Sequence, residues 1–249
     1  MSWAREMATV YSCVHLDDTV ARLEIESPDV ARAMNPGQFV MVRPEQSSLL
    51  PRAMAPSEWD PVKGRVILYI RIVGPGTQAL SALQHGDRLM VIGPLGTPVR
   101  PEEGAWALLG RGVGITPLLP VAKELGRRGH DVRIYLSARA QHLLLEADAF
   151  AAIGPVTCHV DGQGASSVSL QFIKDLQDGY RPRRVLVCGS RRLTAQVAAW
   201  QGVYGYEAQV FLEEKMACGI GWCKGCATGP EWHLLCVDGP TRPIEEGLL

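Results

Sequence analysis

Apolar positions in the first hundred residues fall in short runs separated by turn signals. The stretches TVYSCVHL, TVARLEIES, QFVMVRP, RVILYIRIVG and DRLMVIG are rich in Val, Ile, Leu and Tyr, a composition that fits a pleated, half-buried surface. NPG at 35–37, DPVKG at 60–64 and HGD at 85–87 punctuate them. Several strands at this spacing predict a small antiparallel barrel over residues 1–100. One helix, TQALSALQ, is expected between Gly76 and His85-Gly86.

The pattern changes after PLGTPVRPEEG, a linker-like stretch of Pro, Gly and Glu. WALLG reads as a short buried strand, GRGVG as a loop, TPLLPVAKELGRRG as a helix and DVRIYLSARA as a second strand. A strand, a glycine loop, a helix and a strand in this order mark a doubly wound parallel sheet. Further strands are expected at PVTCHV and RRVLVCG, with helices at SLQFIKDLQ and LTAQVAAWQ, so that an α/β domain spans 101–207. Residues 208–249 hold too little apolar sequence for a core of their own.

Charge narrows the choice of partner. The formal net charge of −1 gives no electrostatic case for nucleic acid or an anionic membrane. No apolar run approaches the length of a membrane span, and MSWAREMATVYS lacks the apolar stretch of a signal peptide. The cytoplasm is therefore the expected compartment. Clustered cysteines there are ligands or redox groups more often than disulfides.

Four of the seven cysteines lie within nineteen residues: Cys218, Cys223, Cys226 and Cys236, in MACGIGWCKGC and WHLLC. The spacing C-x4-C-x2-C-x9-C opens like the plant-type [2Fe–2S] ligand set. A loop around two irons must turn tightly and aim N–H groups at sulfur, and Gly219, Gly221 and Gly225 supply that freedom. Structural zinc is the competing reading, but zinc sites usually carry two short ligand pairs and only one C-x2-C is present. His233 is expected to be a surface or packing residue. Trp222 either shields the cluster, faces a partner, or covers neighbouring structure. The other cysteines, Cys13, Cys158 and Cys188, sit in or beside apolar runs and are expected to be small buried hydrophobes.

Gly110, Gly112 and Gly114 lie between the WALL strand and the following helix, where a helix end and free N–H groups favour phosphate. The third glycine comes earlier than in the usual dinucleotide fingerprint. The acidic residue expected at the end of the second strand is replaced by SARA, whose Arg139 is either a 2′-phosphate contact or a solvated surface residue. A plain Rossmann dehydrogenase is disfavoured, and the choice between NADH and NADPH is open.

The order of parts resembles the ferredoxin-reductase superfamily. More closely, it is similar to the electron transfer subunits of NAD-linked dihydroorotate dehydrogenase. The likeness rests on PGQFVMVRP (36–44), GPGTQALSALQHGDRLMVIGPLG (74–96), GRGVGITPLLPVAKEL (110–125), CGS (188–190) and EEKMACGIGWCKGC (213–226). The resemblance implies a flavin barrel, a doubly wound nucleotide domain and a small C-terminal [2Fe–2S] segment. It implies FAD, NAD(H) and one cluster as cofactors. The implied partner is an FMN-containing catalytic subunit, in a heterotetramer of two subunit types. The family's flavin motif Arg-Pro-x-Ser falls on Arg52, Ala53, Met54 and Ala55, and a second flavin stretch on Tyr69, Ile70 and Arg71. Arg52 would pair with the pyrophosphate, and Gly76 and Thr77 would bring a helix start to it. Ala53 and Ala55 depart from the motif, and Ala55 lacks the hydroxyl of the family's serine. HVDGQGASSVSL matches the family's TDDGSxGxxG only in part. Two alternatives follow from these departures. One is a paralogous NAD(P)H reductase serving another partner or a ferredoxin-like carrier. The other is a metal-binding regulatory module with a vestigial flavin site.

Overall fold

The structure is a computed structural model that describes residues 3–47, 49–162, 167–229 and 231–244. In chain order the first elements are β1 (Ala4–Asp17), β2 (Val20–Glu26), α1 (Pro28–Ala33), β3 (Phe39–Pro44), β4 (Arg52–Met54), β5 (Glu58–Asp60), β6 (Arg65–Arg71), α2 (Pro75–Ser81) and β7 (Arg88–Leu95). Next come β8 (Trp106–Arg111), a 3-10 turn (Gly112–Ile115), α3 (Leu118–Arg127), β9 (Val132–Ala138), α4 (Ala147–Ala151) and β10 (Val156–Val160). They are followed by α5 (Val168–Gln177), β11 (Arg184–Cys188), α6 (Arg191–Tyr204) and β12 (Glu207–Phe211). The chain closes with β13 (Ala227–Thr228), β14 (His233–Leu234), α7 (Leu235–Asp238) and β15 (Thr241–Pro243).

Contacts divide the chain into two compact units, Met1–Val99 with Glu213–Pro240, and Arg100–Leu212 with Thr241–Leu249. The cysteine segment, set apart by composition, thus packs with the strand-rich unit.

In the first unit seven strands form an antiparallel sheet in the order β4-β3-β7-β1-β2-β6-β5, which curls into a half-barrel. Strand β1 makes this possible. It pairs with β7 through its first half and with β2 through its second, and its pairing with β2 shifts register between Val10 and Ser12. Such bulges bend a strand and raise its twist. The sheet buries Val10, Leu23, Ile25, Leu68, Ile70 and Leu89, and helix α2 adds Leu80, around one core. Each large aliphatic side chain so buried contributes about 1.5–3 kcal/mol.

The second unit is a six-stranded sheet ordered β10-β9-β8-β11-β12-β15. Strands β8 to β12 run parallel and β15 is antiparallel at the edge. Parallel strands covered on both faces need continuous apolar sequence, which explains WALL, IYL and VLV. Helix α3 buries Leu118, Leu119, Val121, Ala122 and Leu125. Helices α5 and α6 begin at serine caps: Leu170 N donates to Ser167 Oγ, and Leu193 N to Ser190 Oγ at 3.2 Å. Among the described residues no helix is long and apolar enough to cross a membrane.

The predicted strands and helices appear, with additions. Helix α1, the short strands β4 and β5, helices α4 and α7 and strands β12 to β15 were not expected from periodicity. The scattered cysteines divide. Cys188 is buried, Cys13 is half-buried, but Cys158 is exposed. Its strand, β10, is the sheet edge, so burial as a small hydrophobe does not hold for Cys158.

Candidate functional site

Of the residues expected to meet a flavin, Arg52 and Gly76 come together in the first unit. Arg52 opens β4 and Gly76 lies in the first turn of α2. A Cβ on Gly76 would stand 2.5 Å from Arg52 Nε and closer still to the rest of the guanidinium. The glycine therefore provides the space in which the Arg52 head lies. Arg52 Nη1 donates to the Leu50 carbonyl at 2.6 Å. Thr77 Oγ1 accepts from the N–H groups of Val73 (2.9 Å) and Gly74 (3.1 Å) and donates to the Gly74 carbonyl. Its hydroxyl is thus committed to shaping the turn before α2. Ala53, Met54 and Ala55 are half-buried beside this place, with Met54 packed against the core. On β6, Tyr69 and Ile70 are buried and Arg71 is exposed.

The glycine loop occupies the point of the second sheet where the strand order reverses. From β8 the chain moves to β9 and β10 on one side, and β11 and β12 lie on the other. In such sheets ligands bind outside the carboxyl ends of the strands at this reversal. Gly112 has φ +57, with open space where a side chain would stand. Gly114 touches the next loop directly: a Cβ there would lie 2.6 Å from Gly189 N and 2.8 Å from Cys188 C. Gly110, at the end of β8, abuts Ile115 and Leu118. Arg111, the last residue of β8, holds Asp161 through two hydrogen bonds, Nη1–Oδ1 at 3.1 Å and Nη2–Oδ2 at 2.6 Å. Neither member of this pair stood out in the sequence. The local signal is Arg111 itself, a cation set between the glycines of GRGVG. Of the stretch similar to TDDGSxGxxG, residues 163–166 lie outside the described residues.

The cysteine loop rests on the half-barrel. Gly219 has φ +73, and a Cβ there would meet Met41 Cγ at 2.5 Å and Leu95 Cδ1 at 3.0 Å. Gly221, at φ +80, lies against Val237. Only glycine takes these backbone angles without strain. The turns aim N–H groups at sulfur: Gly221 N to Cys236 Sγ at 3.1 Å and Cys223 N to Cys218 Sγ at 3.4 Å. Burial disfavours the Cys218 thiolate, but donors from Cys223, Ile220 and Trp222 outweigh it and bring the thiol down to about 7. Burial and the neighbouring Cys226 thiol push Cys236 up to about 12, with the Gly221 N–H acting against them. Cys226 Sγ lies 3.2 Å from Cys236 Sγ, and both are buried. Cys223 is exposed and Cys218 half-buried. Among the described residues no three potential ligands are grouped closely enough to hold a metal ion as they stand. The structure pairs Cys226 with Cys236, and Cys218 with the Cys223 backbone.

His233 is engaged by carboxylates, with Nε2 2.9 Å from Glu231 Oε2 and Nδ1 3.8 Å from Asp238 Oδ2. Trp222 is 85% exposed and so covers no part of the barrel.

The donor chemistry fits both implied groups. Four thiols on a loop whose N–H groups already point at sulfur suit an iron–sulfur cluster. A guanidinium seated over a glycine suits a diphosphate.

Comparison with known proteins gives the class. The chain has the fold of ferredoxin-reductase-like flavoproteins. It superposes on a solved NADH-dependent reduced ferredoxin–NADP oxidoreductase with a TM-score of 0.86 and 26% identity, covering 96% of this chain and 88% of that one. The fold alone is shared with phthalate dioxygenase reductase, at TM-score 0.66 and 18% identity over 86% of this chain and 70% of that chain. A family model described as the oxidoreductase FAD-binding domain matches residues 10–99. Another, the iron–sulfur cluster binding domain of dihydroorotate dehydrogenase B, matches 213–246.

The chain is 31% identical over 234 residues to the dihydroorotate dehydrogenase B (NAD(+)) electron transfer subunit of Desulforamulus reducens, covering 89% of each chain. It is 31% identical over 242 residues to the homologue of that subunit in Thermotoga maritima, covering 94% of this chain and 84% of that one. It belongs to the family of dihydroorotate dehydrogenase B electron transfer subunits, and is an oxidoreductase subunit with FAD-binding and iron–sulfur domains.

Proposed function

We propose that this chain relays electrons between NAD and an FMN-containing catalytic subunit that oxidises dihydroorotate in cytoplasmic pyrimidine biosynthesis, the two subunit types forming a heterotetramer. The observation that carries this reading is the cysteine loop, packed with the half-barrel and turning its N–H groups toward sulfur. When bound, FAD exchanges two electrons with a nicotinamide and single electrons with an iron–sulfur cluster.

The chain's own residues then have separable tasks. Cys218, Cys223, Cys226 and Cys236 would hold the cluster. The N–H groups at Gly221 and Cys223 would stabilise negative charge on sulfur. Arg52 would neutralise the flavin diphosphate, with Gly76 providing room and Thr77 holding the turn. Tyr69, Ile70 and Arg71 would line the flavin from β6. Met54 anchors β4 in the core, so Ala53 and Ala55 would offer backbone contacts in place of the family's proline and serine. The loop Gly110–Gly112–Gly114 would receive the pyridine nucleotide at the strand reversal. Ile220, Trp222 and Trp232, exposed on the cluster segment, would face the catalytic subunit.

A second reading is a reductase that serves a ferredoxin-like carrier. The 0.86 TM-score to the reduced ferredoxin–NADP oxidoreductase favours it. Co-expression with the FMN-containing subunit separates the two. The first reading expects a stable complex that reduces NAD with dihydroorotate. A chain that stays alone and reduces a ferredoxin with NADH supports the second.

A further inference from the structure

The loop that crosses the strand reversal carries a charged device of its own. Arg111 is the last residue of β8, and Asp161 follows directly on β10. Strand β9 lies between those two strands in the sheet, so the ion pair crosses the carboxyl end of β9. The backbone at Asp161 is fixed to β9, since its N–H donates to the Ala138 carbonyl at 3.0 Å. The fork is bidentate and partly open to solvent, at 36% and 45% side-chain exposure. The Arg111 guanidinium, with help from His159 and Arg192, holds the Asp161 carboxyl below its usual range. Asp161 is therefore a carboxylate at neutral pH.

Dinucleotide folds commonly place an acid at the end of the second strand, where it accepts from the ribose 2′-hydroxyl. The second strand here, β9, ends in Ser137-Ala138 and continues Arg139-Ala140, with no acid. Asp161 presents the missing carboxylate from the adjoining strand. A hydroxyl can donate to it. A 2′-phosphate brings up to two negative charges against it, and the Arg111 fork that could meet them is held by Asp161 through both terminal nitrogens.

We propose that Arg111 and Asp161 decide between NADH and NADPH: Asp161 receives the ribose hydroxyl and keeps Arg111 from a 2′-phosphate. This rests on the reading that the strand-reversal loops receive the pyridine nucleotide. Asp161→Asn keeps the shape, removes the charge and releases Arg111.

The experiment uses the full chain with its cofactors. Initial rates of flavin reduction give kcat/KM for NADH and NADPH, and calorimetry gives the affinity for adenosine 2′,5′-bisphosphate. The wild type prefers NADH. In Asp161→Asn the NADH-to-NADPH ratio of kcat/KM falls at least tenfold, through KM for NADPH, and the bisphosphate binds at least tenfold more tightly. Adding Arg111→Ala to that variant reverses both gains. An unchanged ratio with NADH still active overturns the inference alone, as does a gain that persists without Arg111. Failure of NADH, NADPH and the bisphosphate to bind the wild type overturns the nucleotide reading and this inference together.

Discussion

Gly76→Ala should separate flavin binding from folding. Gly76 sits in the first turn of α2, where alanine is ordinarily better than glycine by about 0.5–1 kcal/mol. The three atoms nearest to the added methyl all belong to the Arg52 guanidinium, the far end of a flexible side chain. The apo protein should therefore keep its stability or gain slightly. The guanidinium, however, must leave its seat. A hydrogen bond to a charged group contributes about 1.5–3 kcal/mol, so its loss weakens FAD binding roughly 10- to 150-fold. Titrating deflavinated protein with FAD gives the affinity, and thermal unfolding of the same sample gives the stability. Arg52→Ala should weaken binding to a similar degree. The double variant should be no weaker than Arg52→Ala alone, because both changes remove one interaction. Unchanged FAD affinity in Gly76→Ala would refute the reasoning, as would a double variant whose losses add.

Gly114→Ala meets backbone rather than a side chain, at Gly189 and Cys188. It should destabilise by about 1–3 kcal/mol and abolish flavin reduction by NADH, checked by urea unfolding and stopped-flow absorbance. Cys226→Ser should lose the iron–sulfur absorption and electron paramagnetic resonance signal while keeping FAD, measured by iron and flavin content. Hydrogen bonding from Arg127, with a lesser bond from Arg128 and against an opposing effect of burial larger than that lesser bond, holds the Glu124 carboxyl at about 2 rather than 4.5. A lowered folded-state pKa stabilises above the unfolded value and is lost as pH falls through the folded one. Glu124→Gln should therefore flatten the loss of stability between pH 4.5 and 2, read from acid titrations of unfolding at low salt. An identical slope in both proteins would contradict the assignment.

Long elements were legible because their apolar patterns are repeated and unambiguous. RVILYIR and DRLMVIG became β6 and β7, and the strand–glycine–helix unit became β8 to β9. Short elements were not legible. Strand β4 spans only Arg52–Met54 and exists because β3 offers it partners, which no local pattern announces. Helix α1 did carry a signal in Ser27-Pro28-Asp29, a cap followed by proline in the first turn. The cysteine spacing conveyed its chemistry, but not that the segment packs on Met41 and Leu95. That contact depends on Gly219 and on residues more than a hundred positions away. The Arg111–Asp161 pair was invisible for the same reason, since fifty residues separate its members and only the sheet order brings them together.

The most direct test is an anaerobic titration of the purified chain with NADH, followed by visible absorption and electron paramagnetic resonance. FAD takes two electrons and a [2Fe–2S] cluster one, so full reduction should need about 1.5 equivalents of NADH. Flavin and iron–sulfur bands should bleach together, and a signal of one reduced cluster per chain should appear. A flavin that bleaches while the cluster stays oxidised and silent, or a protein that NADH does not reduce, would contradict the relay.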